Sequence, residues 1–316
     1  MELEQALGEL EKVEEEIFRG KVINFRIAEH RSPFRGAGYD IHSIRKWVPG
    51  EPMNTIDYQL SLPTWPKTIV QVPRIETKSS PVILIADISP SAFVSIGEEA
   101  SKFRLLVHII GALGLAADHL KDPVGVLAIT DQIEFYLRPK LGRNQIFYGL
   151  RLLLEKAEEF EKEKKRDTTK RSASPNQDSG INTALSFFAE RFKRQAALVM
   201  VSDFTDFISG RVEMNFELVE MLSAKHNRNV IAVFLDEPQE FSWTSRWGLV
   251  RIRDIETGKS QTIRASRAAK IRQEFCERRE TLRQKLQDCG VDSAVLSYGD
   301  HFNELAQFLS ERKSTA

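Results

Sequence analysis

The sequence is poor in the residues that most often carry zinc or redox chemistry. It has 2 cysteines and 6 histidines among 316 residues, and the histidines form no group with the spacing of zinc ligands. Cys276 and Cys289 fall on one predicted helix, about 20 Å apart, which is too far for a disulfide. These absences argue against a zinc site, a cysteine nucleophile and a disulfide-stapled secreted domain, and they favour a cytoplasmic protein.

Long apolar runs and net charge are missing as well. No run approaches the ~20 apolar residues of a membrane span, and the acidic start of the chain differs from a basic secretory signal. Lysine plus arginine and aspartate plus glutamate number 45 each, so no overall field favours nucleic acid or an anionic membrane. There is also no glycine-rich loop with a phosphate-binding lysine. We therefore expect no nucleic-acid partner and no membrane span.

What the sequence does have is a regular alternation of short apolar runs and helical periodicities, with a hydrophobic content of 41%. This pattern predicts an α/β fold with a mostly parallel, Rossmann-like sheet and helices on both faces. Residues 133–137 are expected to form an antiparallel edge strand. The other predicted strands are 81–88, 123–129, 196–202, 229–235 and 291–296, and the predicted helices are 99–121, 143–163, 180–193, 212–227, a long one ending near 288, and 300–312.

Oxygen-bearing side chains follow two of the predicted strands and begin one helix. Asp87, Ser89 and Ser91 end the first strand, and Asp203 ends the strand over 196–202. Ser179 occupies the N-cap position of the helix between them. Ligands of open α/β sheets bind outside the carboxyl ends of the strands, and carboxylate with hydroxyl oxygens suits Mg²⁺ or Mn²⁺. The alternative is that the first strand simply ends in an Asx or serine turn.

These three loops resemble the metal-ion-dependent adhesion site of von Willebrand factor A-like domains. In that family five oxygen ligands come from three loops, and an open position accepts an acidic group from a partner. The resemblance implies a weakly bound Mg²⁺ or Mn²⁺. The family usually has threonine in the second loop, and by its spacing to Ala184 and Leu185 the matching residue is Ser179 and not Thr183. The implied ligands are Asp87, Ser89, Ser91, Ser179 and Asp203.

Residues 31–78 carry a second set of motifs in a region rich in glycine and proline. The motif residues are Arg35, Gly36, Gly38, Arg45, Trp47, Pro49, Gly50 and Asp57. In order and spacing they resemble the bacterial family catalogued as domain of unknown function 58, and the likeness extends from about residue 20 to 312. Two departures are Tyr58, where the family has tryptophan, and the loss near Asn54 of a family arginine. Arg45, Trp47 and Asp57 form either a buried ion pair with an aromatic plug or a partner contact.

The predicted organisation has two parts. Residues 1–78 comprise an N-terminal helix over 2–19 and the motif region, which we expect to pack on the rest of the chain because it has few apolar residues. Residues 79–316 form the von Willebrand factor A-like domain, with a charged loop near 161–178 and a small hairpin near 249–264.

The family resemblance implies a non-enzymatic interaction module with no catalytic residues. It further implies a cytoplasmic adaptor of a MoxR-type AAA+ ATPase that acts in chaperone-like maturation of client proteins. Two alternatives remain. One is a metal-dependent hydrolase, for which Asp206 is the only obvious general base. The other is a structural scaffold whose metal site stays empty.

Overall fold

The computed structural model describes most of the chain from residue 80 onward and short pieces before it. The described ranges are 80–93, 102–166, 179–227, 229–237, 249–253, 260–264 and 267–315, together with short segments between 35 and 75. By its contacts the chain divides into two compact units. One is Glu29–Ser80, and the other contains Pro81–Ala316 with Met1–Ala28.

The larger unit contains a six-stranded sheet that is parallel except at one edge. The strands of this unit are β1 (Val82–Asp87), β2 (Val124–Ile129), β3 (Ile133–Lys140), β4 (Ala197–Ser202), β5 (Val230–Asp236), β6 (Leu249–Arg253), β7 (Ser260–Arg264) and β8 (Asp292–Ser297). The sheet order is β8-β5-β4-β1-β2-β3, with β3 antiparallel to β2. β6 and β7 form a separate antiparallel hairpin. The connections therefore reverse direction between β1 and β4, which makes this pair the topological switch point.

Seven α-helices accompany these strands in the described part of the unit, and a 3₁₀ turn, Pro90–Phe93, follows β1. The helices are α1 (Lys102–His119), α2 (Arg143–Arg166), α3 (Gly180–Arg191), α4 (Thr205–Ile208), α5 (Phe216–Lys225), α6 (Ala268–Asp288) and α7 (His301–Thr315). In this part of the molecule no helix is both long and apolar enough to cross a bilayer.

The helices cover both faces of the sheet because successive side chains of each buried strand point to opposite sides. In β1, Val82 and Leu84 join an apolar layer with α1, α2 and α7. Ile83 and Ile85 of the same strand join a second layer with α3, α5 and α6. The predicted α/β, Rossmann-like fold is thereby confirmed, including the antiparallel edge strand and the hairpin.

Several predicted boundaries need correction. Helix α2 continues to Arg166, past the expected end at 163, because lysine and glutamate, which dominate this part of the sequence, are good helix formers. The charged loop can therefore begin only after that residue, and 167–178 lie outside the described residues. The helix expected over 212–227 begins at Phe216, since the side chain of Asn215 caps it by accepting from the backbone N–H of Leu218 at 3.0 Å.

The smaller unit contains short antiparallel pairs. Arg35–Gly36 and Asp40–Ile41 both pair with Arg74–Ile75, and Arg45–Lys46 pairs with Val70–Gln71. The single strand expected near 68–75 is thus two short segments, as suits a stretch in which Pro73 cannot donate a ladder hydrogen bond. A helical piece, Tyr58–Ser61, continues into a 3₁₀ turn, Leu62–Thr64. The predicted N-terminal helix over 2–19 lies outside the described residues.

Candidate functional site

A small cleft opens at the carboxyl end of the sheet, at the switch point between β1 and β4. Counting its open mouth, it encloses about 190 Å³. Its walls bring together all five residues that the sequence pattern singled out, which come from positions spread over more than 100 residues of chain. Its lining consists of Asp87, Ser89, Ser91, Ser179 and Asp203, with Ile181, Phe204, Thr205, Asp206 and Phe207.

Asp87 is the last residue of β1, and its two carboxylate oxygens have different donors. Oδ1 accepts the backbone N–H of Ser89 at 3.0 Å, and Oδ2 accepts the hydroxyl of Ser202 at 2.5 Å. Burial, followed by the nearby negative charge of Asp203, raises the pKa of Asp87 from its ordinary value of 3.8 to about 7, although these hydrogen bonds oppose the rise. Near neutral pH, Asp87 is therefore poised between its protonated and ionised forms.

The two serines that follow Asp87 stand side by side. Ser89 and Ser91 are buried, and their Oγ atoms lie 3.0 Å apart. Mg²⁺ holds its ligands at about 2.0–2.1 Å, so neighbouring oxygens of its octahedron are about 2.9 Å apart. The spacing of the two hydroxyls therefore fits two adjacent ligands of one such ion.

Asp203 follows β4 in a tight turn. The next residue, Phe204, has a left-handed backbone with φ of 53°, which is uncommon for a residue other than glycine. Its ring is fully buried with its centroid 4.3 Å from that of Phe234, and this packing holds the turn. The turn also lets Asp203 Oδ1 accept the backbone N–H of Thr205 at 3.1 Å. Asp203 is thereby aimed at the cleft by local backbone geometry.

Ser179 is the N-cap of α3, as predicted, and its Oγ accepts the backbone N–H of Ile181 at 3.2 Å. The alternative hydroxyl, that of Thr183, donates back to the carbonyl oxygen of Ser179 and does not line the cleft. Gly180 packs against the loop after β2 so closely that a Cβ would meet the carbonyl oxygen of Thr130 at 1.7 Å. Only glycine fits there, and this close approach sets the position of Ser179.

Lys102, the first residue of α1, contacts the site through Asp203. Its ammonium nitrogen lies 3.1 Å from Asp203 Oδ2, and the two side chains are only 3% and 5% exposed. Burial by itself raises the pKa of Asp203, but the charge of Lys102 and the hydrogen bond from Thr205 bring it below its ordinary value. The contact with Lys102 therefore favours the ionised form of Asp203.

Asp206 lies at the rim of the cleft and forms an ion pair with Arg211. Burial raises the pKa of Asp206, and the nearby carboxylates add to that rise, while Arg211 opposes it. The arginine contact occupies the carboxylate that was predicted from the sequence as the candidate base of the hydrolase alternative.

The donor set fits a hard divalent cation. The described residues contain no cluster of three or more histidine, cysteine, aspartate or glutamate side chains that could hold a metal ion. At this cleft the two carboxylates would therefore need the three serine hydroxyls as further ligands. An oxygen-only set of this kind suits Mg²⁺ or Mn²⁺ and is unsuited to zinc.

The family-motif residues lie in the smaller unit and are described in part. Arg35, Gly36 and Arg45 lie on its short strands, Trp47 is half-buried just after one of them, and Pro49 is exposed. Gly38, Gly50 and Asp57 lie outside the described residues. The proposed pairing of Arg45 with Asp57 therefore stays a prediction, as does packing of 21–78 against the larger unit.

Three residues of the site were not predicted from the sequence. Ser202 bonds to Asp87 across neighbouring strands, and Gly180 meets a loop 50 residues away. The position of Ser202 at the end of a buried strand was the only available indication for it. Lys102 pairs with a residue 101 positions away, and nothing in its local sequence indicates that contact.

The chain matches a known protein family. The family described as "Protein of unknown function DUF58" matches residues 43–285, which is more than half of the chain. The chain belongs to this family. The match spans the described motif residues Arg45, Trp47 and Pro49 and all five cleft residues, so the family assignment covers the proposed site in full. No curated protein matched the chain.

Proposed function

We propose that this DUF58 protein is a non-enzymatic interaction module of the von Willebrand factor A-like type. In this proposal Asp87, Ser89, Ser91, Ser179 and Asp203 bind Mg²⁺, or Mn²⁺, weakly. The observation that carries the proposal is the convergence of these five oxygen-bearing side chains on one cleft at the switch point of the sheet. Binding is weak because five protein oxygens and a small open cleft leave part of the coordination to water or to a partner.

The open side of the cleft would receive an acidic group of a partner protein. We propose as partner a MoxR-type AAA+ ATPase, with the chain acting as its cytoplasmic adaptor in the maturation of client proteins. This part of the proposal rests on the family resemblance. The cation supplies the positive charge that an incoming carboxylate requires, while Asp87 and Asp203 hold the cation.

Metal titration tests the first step. Calorimetry should detect Mg²⁺ binding to the wild type, and Ser89→Ala with Ser91→Ala should weaken it at least tenfold because two adjacent ligands are lost. Ser186→Ala is the matched control, since this serine is exposed on α3 and remote from the cleft. Binding that survives the double substitution unchanged would rule out this set of ligands.

Capture of the partner tests the second step. A MoxR-type AAA+ ATPase from the same organism should be retained by the wild type in Mg²⁺ and released by EDTA. Retention that is equal with and without the cation would contradict the metal-bridged contact. Turnover of phosphoesters in Mg²⁺ would instead support the hydrolase, and absence of both metal binding and turnover would support the scaffold.

A further inference from the structure

The contact between Lys102 and Asp203 raises a question about how a cation could enter the cleft. The ammonium nitrogen lies 3.1 Å from Oδ2 of Asp203, and both side chains are buried. An ammonium group is a compact point charge, so it occupies the same kind of position beside a carboxylate that a metal ion would take.

The hydrogen bond to the other carboxylate oxygen of Asp203, Oδ1, restricts rotation of this side chain. Oδ1 accepts the backbone N–H of Thr205 at 3.1 Å, within the turn held by the left-handed Phe204. Rotation of the carboxylate away from Lys102 would break that bond. A cation that uses Asp203 must therefore compete with Lys102 for Oδ2.

We propose that Lys102 is an internal competitor for the divalent cation: its ammonium holds Asp203 in the metal-free protein, and cation binding displaces it. This inference rests on the proposed metal site and assigns a regulation to it. Two positive charges next to one buried carboxylate repel each other, so occupancy by lysine and by the cation is mutually exclusive. The competition lowers the affinity of the site for the cation.

Displacement of Lys102 has a local structural consequence. It is the first residue of α1, whose later turns are buried in the apolar layer that contains Leu105, Leu106 and Ile109. These contacts hold the body of the helix in place. The change on cation binding is therefore confined to the Lys102 side chain and the first turn of α1.

The test is calorimetric titration of Mg²⁺ into the wild type and Lys102→Met, which keeps the length of the side chain and removes its charge. We expect the dissociation constant to fall at least tenfold in this variant. Lys270→Met is the matched control, because Lys270 is largely exposed on α6. The Mg²⁺ dissociation constant of this variant should equal that of the wild type.

Each outcome separates the inference from the proposed function. Equal Mg²⁺ affinity in Lys102→Met and the wild type would overturn the competition and leave the metal site standing. Absence of binding to either protein, for Mg²⁺ and Mn²⁺ alike, would overturn both and make Lys102 a permanent counter-ion of Asp203.

A second measurement uses the wild type alone and does not depend on the folding of a variant. Acetylation of individual lysines by a reactive ester is followed by mass spectrometry in EDTA and in saturating Mg²⁺. The modification rate of Lys102 should rise at least fivefold in Mg²⁺, while that of Lys270 stays constant. An unchanged rate at Lys102 would contradict displacement.

Discussion

Asp87 and Asp203 stand at two strand ends of the same sheet, but their pKa values are shifted in opposite directions. At the end of β1, Asp87 is surrounded by hydroxyl and backbone donors, and burial with the charge of Asp203 raises its pKa to about 7. After β4, Asp203 contacts Lys102, and its pKa is lowered. The two carboxylates line one cleft, yet one is near its titration midpoint at neutral pH and the other is held ionised.

The difference shows that the position of an aspartate at a strand end does not determine its charge. Placement of the two side chains follows from the parallel sheet, whereas the charge state follows from a neighbour that is remote in sequence. Lys102 pairs with one carboxylate, and the raised pKa of the other favours its protonated form below neutral pH. A divalent cation would displace both the lysine and the proton, which makes its binding dependent on pH as well as on Lys102.

The largest expected effect comes from removal of the charge of Asp203. Asp203→Asn removes the carboxylate of its buried ion pair with Lys102, which should lower the free energy of unfolding by about 3–5 kcal/mol. Urea denaturation in EDTA measures this loss. The pair of Asp236 with Arg279, whose side chains are 29% and 16% exposed, provides the control, and Asp236→Asn should cost at most about 1 kcal/mol.

A double variant sharpens this prediction. Replacement of both partners of a buried ion pair is often close to neutral, so Asp203→Asn with Lys102→Met should recover most of the stability that Asp203→Asn loses. If the double variant is less stable than Asp203→Asn alone, the two side chains do not stabilise each other and the proposed charge balance is wrong.

The next largest effect on stability is expected at Gly180, the first residue of α3, which lies between Asp87 and Asp203 in the chain. Gly180→Ala places a methyl group against the carbonyl oxygen of Thr130. The loop or the start of α3 must shift, and we expect unfolding to become easier by about 3 kcal/mol. Ser186→Ala, exposed on the same helix, should change stability by less than about 0.5 kcal/mol. Equal stability of the two variants would mean that the close approach carries no constraint.

The sheet and the five oxygen-bearing residues of the cleft could be predicted from the sequence, because both depend on local signals. Continuous apolar runs such as 196–202 indicate buried parallel strands, and the carboxyl ends of parallel strands share an edge. The cap at Ser179 is likewise a local signal. Contacts between distant residues could not be predicted in this way. Lys102 reaches Asp203, and Thr130 restricts Gly180, only once the fold brings them together.

Two histidines away from the cleft also make stability depend on pH, and their contribution must be separated from that of the two aspartates. His108 and His301 are buried with ring nitrogens 3.1 Å apart. Burial, with the partner ring and Arg104 adding to the effect at His108, lowers the pKa values to about 3 and about 4. Because the unfolded histidines take up protons below their ordinary pKa of 6.5, stability is present above pH 6.5 and is lost as the pH falls towards the folded values.

His108→Gln should reduce this acid sensitivity. Between pH 6.5 and 4.5 the variant should lose about 2 kcal/mol less than the wild type, since one fewer proton is taken up on unfolding. His119→Gln, at the exposed end of the same helix, should follow the wild-type curve. Parallel curves for the wild type and His108→Gln would assign the acid sensitivity to other groups.

The smallest effect on stability, and the most informative for function, is expected from Asp87→Asn. A folded pKa near 7 means that Asp87 contributes most stability below its unfolded value of 3.8 and that this contribution is lost as the pH rises through 7. Asparagine has no such penalty and can still accept the backbone N–H of Ser89. Measured in EDTA, the variant should match the wild type at or below about pH 4 and exceed its stability by about 1 kcal/mol at pH 8, allowing for the partial exposure of the side chain.

With Mg²⁺ the order should reverse. The cation binds the ionised carboxylate, so it should raise the melting temperature of the wild type at pH 8 and leave that of Asp87→Asn unchanged, and capture of the partner ATPase should be lost. Asp87 then opposes folding in the metal-free protein and is required in the metal-bound one, whereas Asp203 is stabilising in both. Unfolding of Asp87→Asn at pH 8 would identify Asp87 as a structural cap of β1, and Mg²⁺-dependent capture by that variant would contradict the metal bridge.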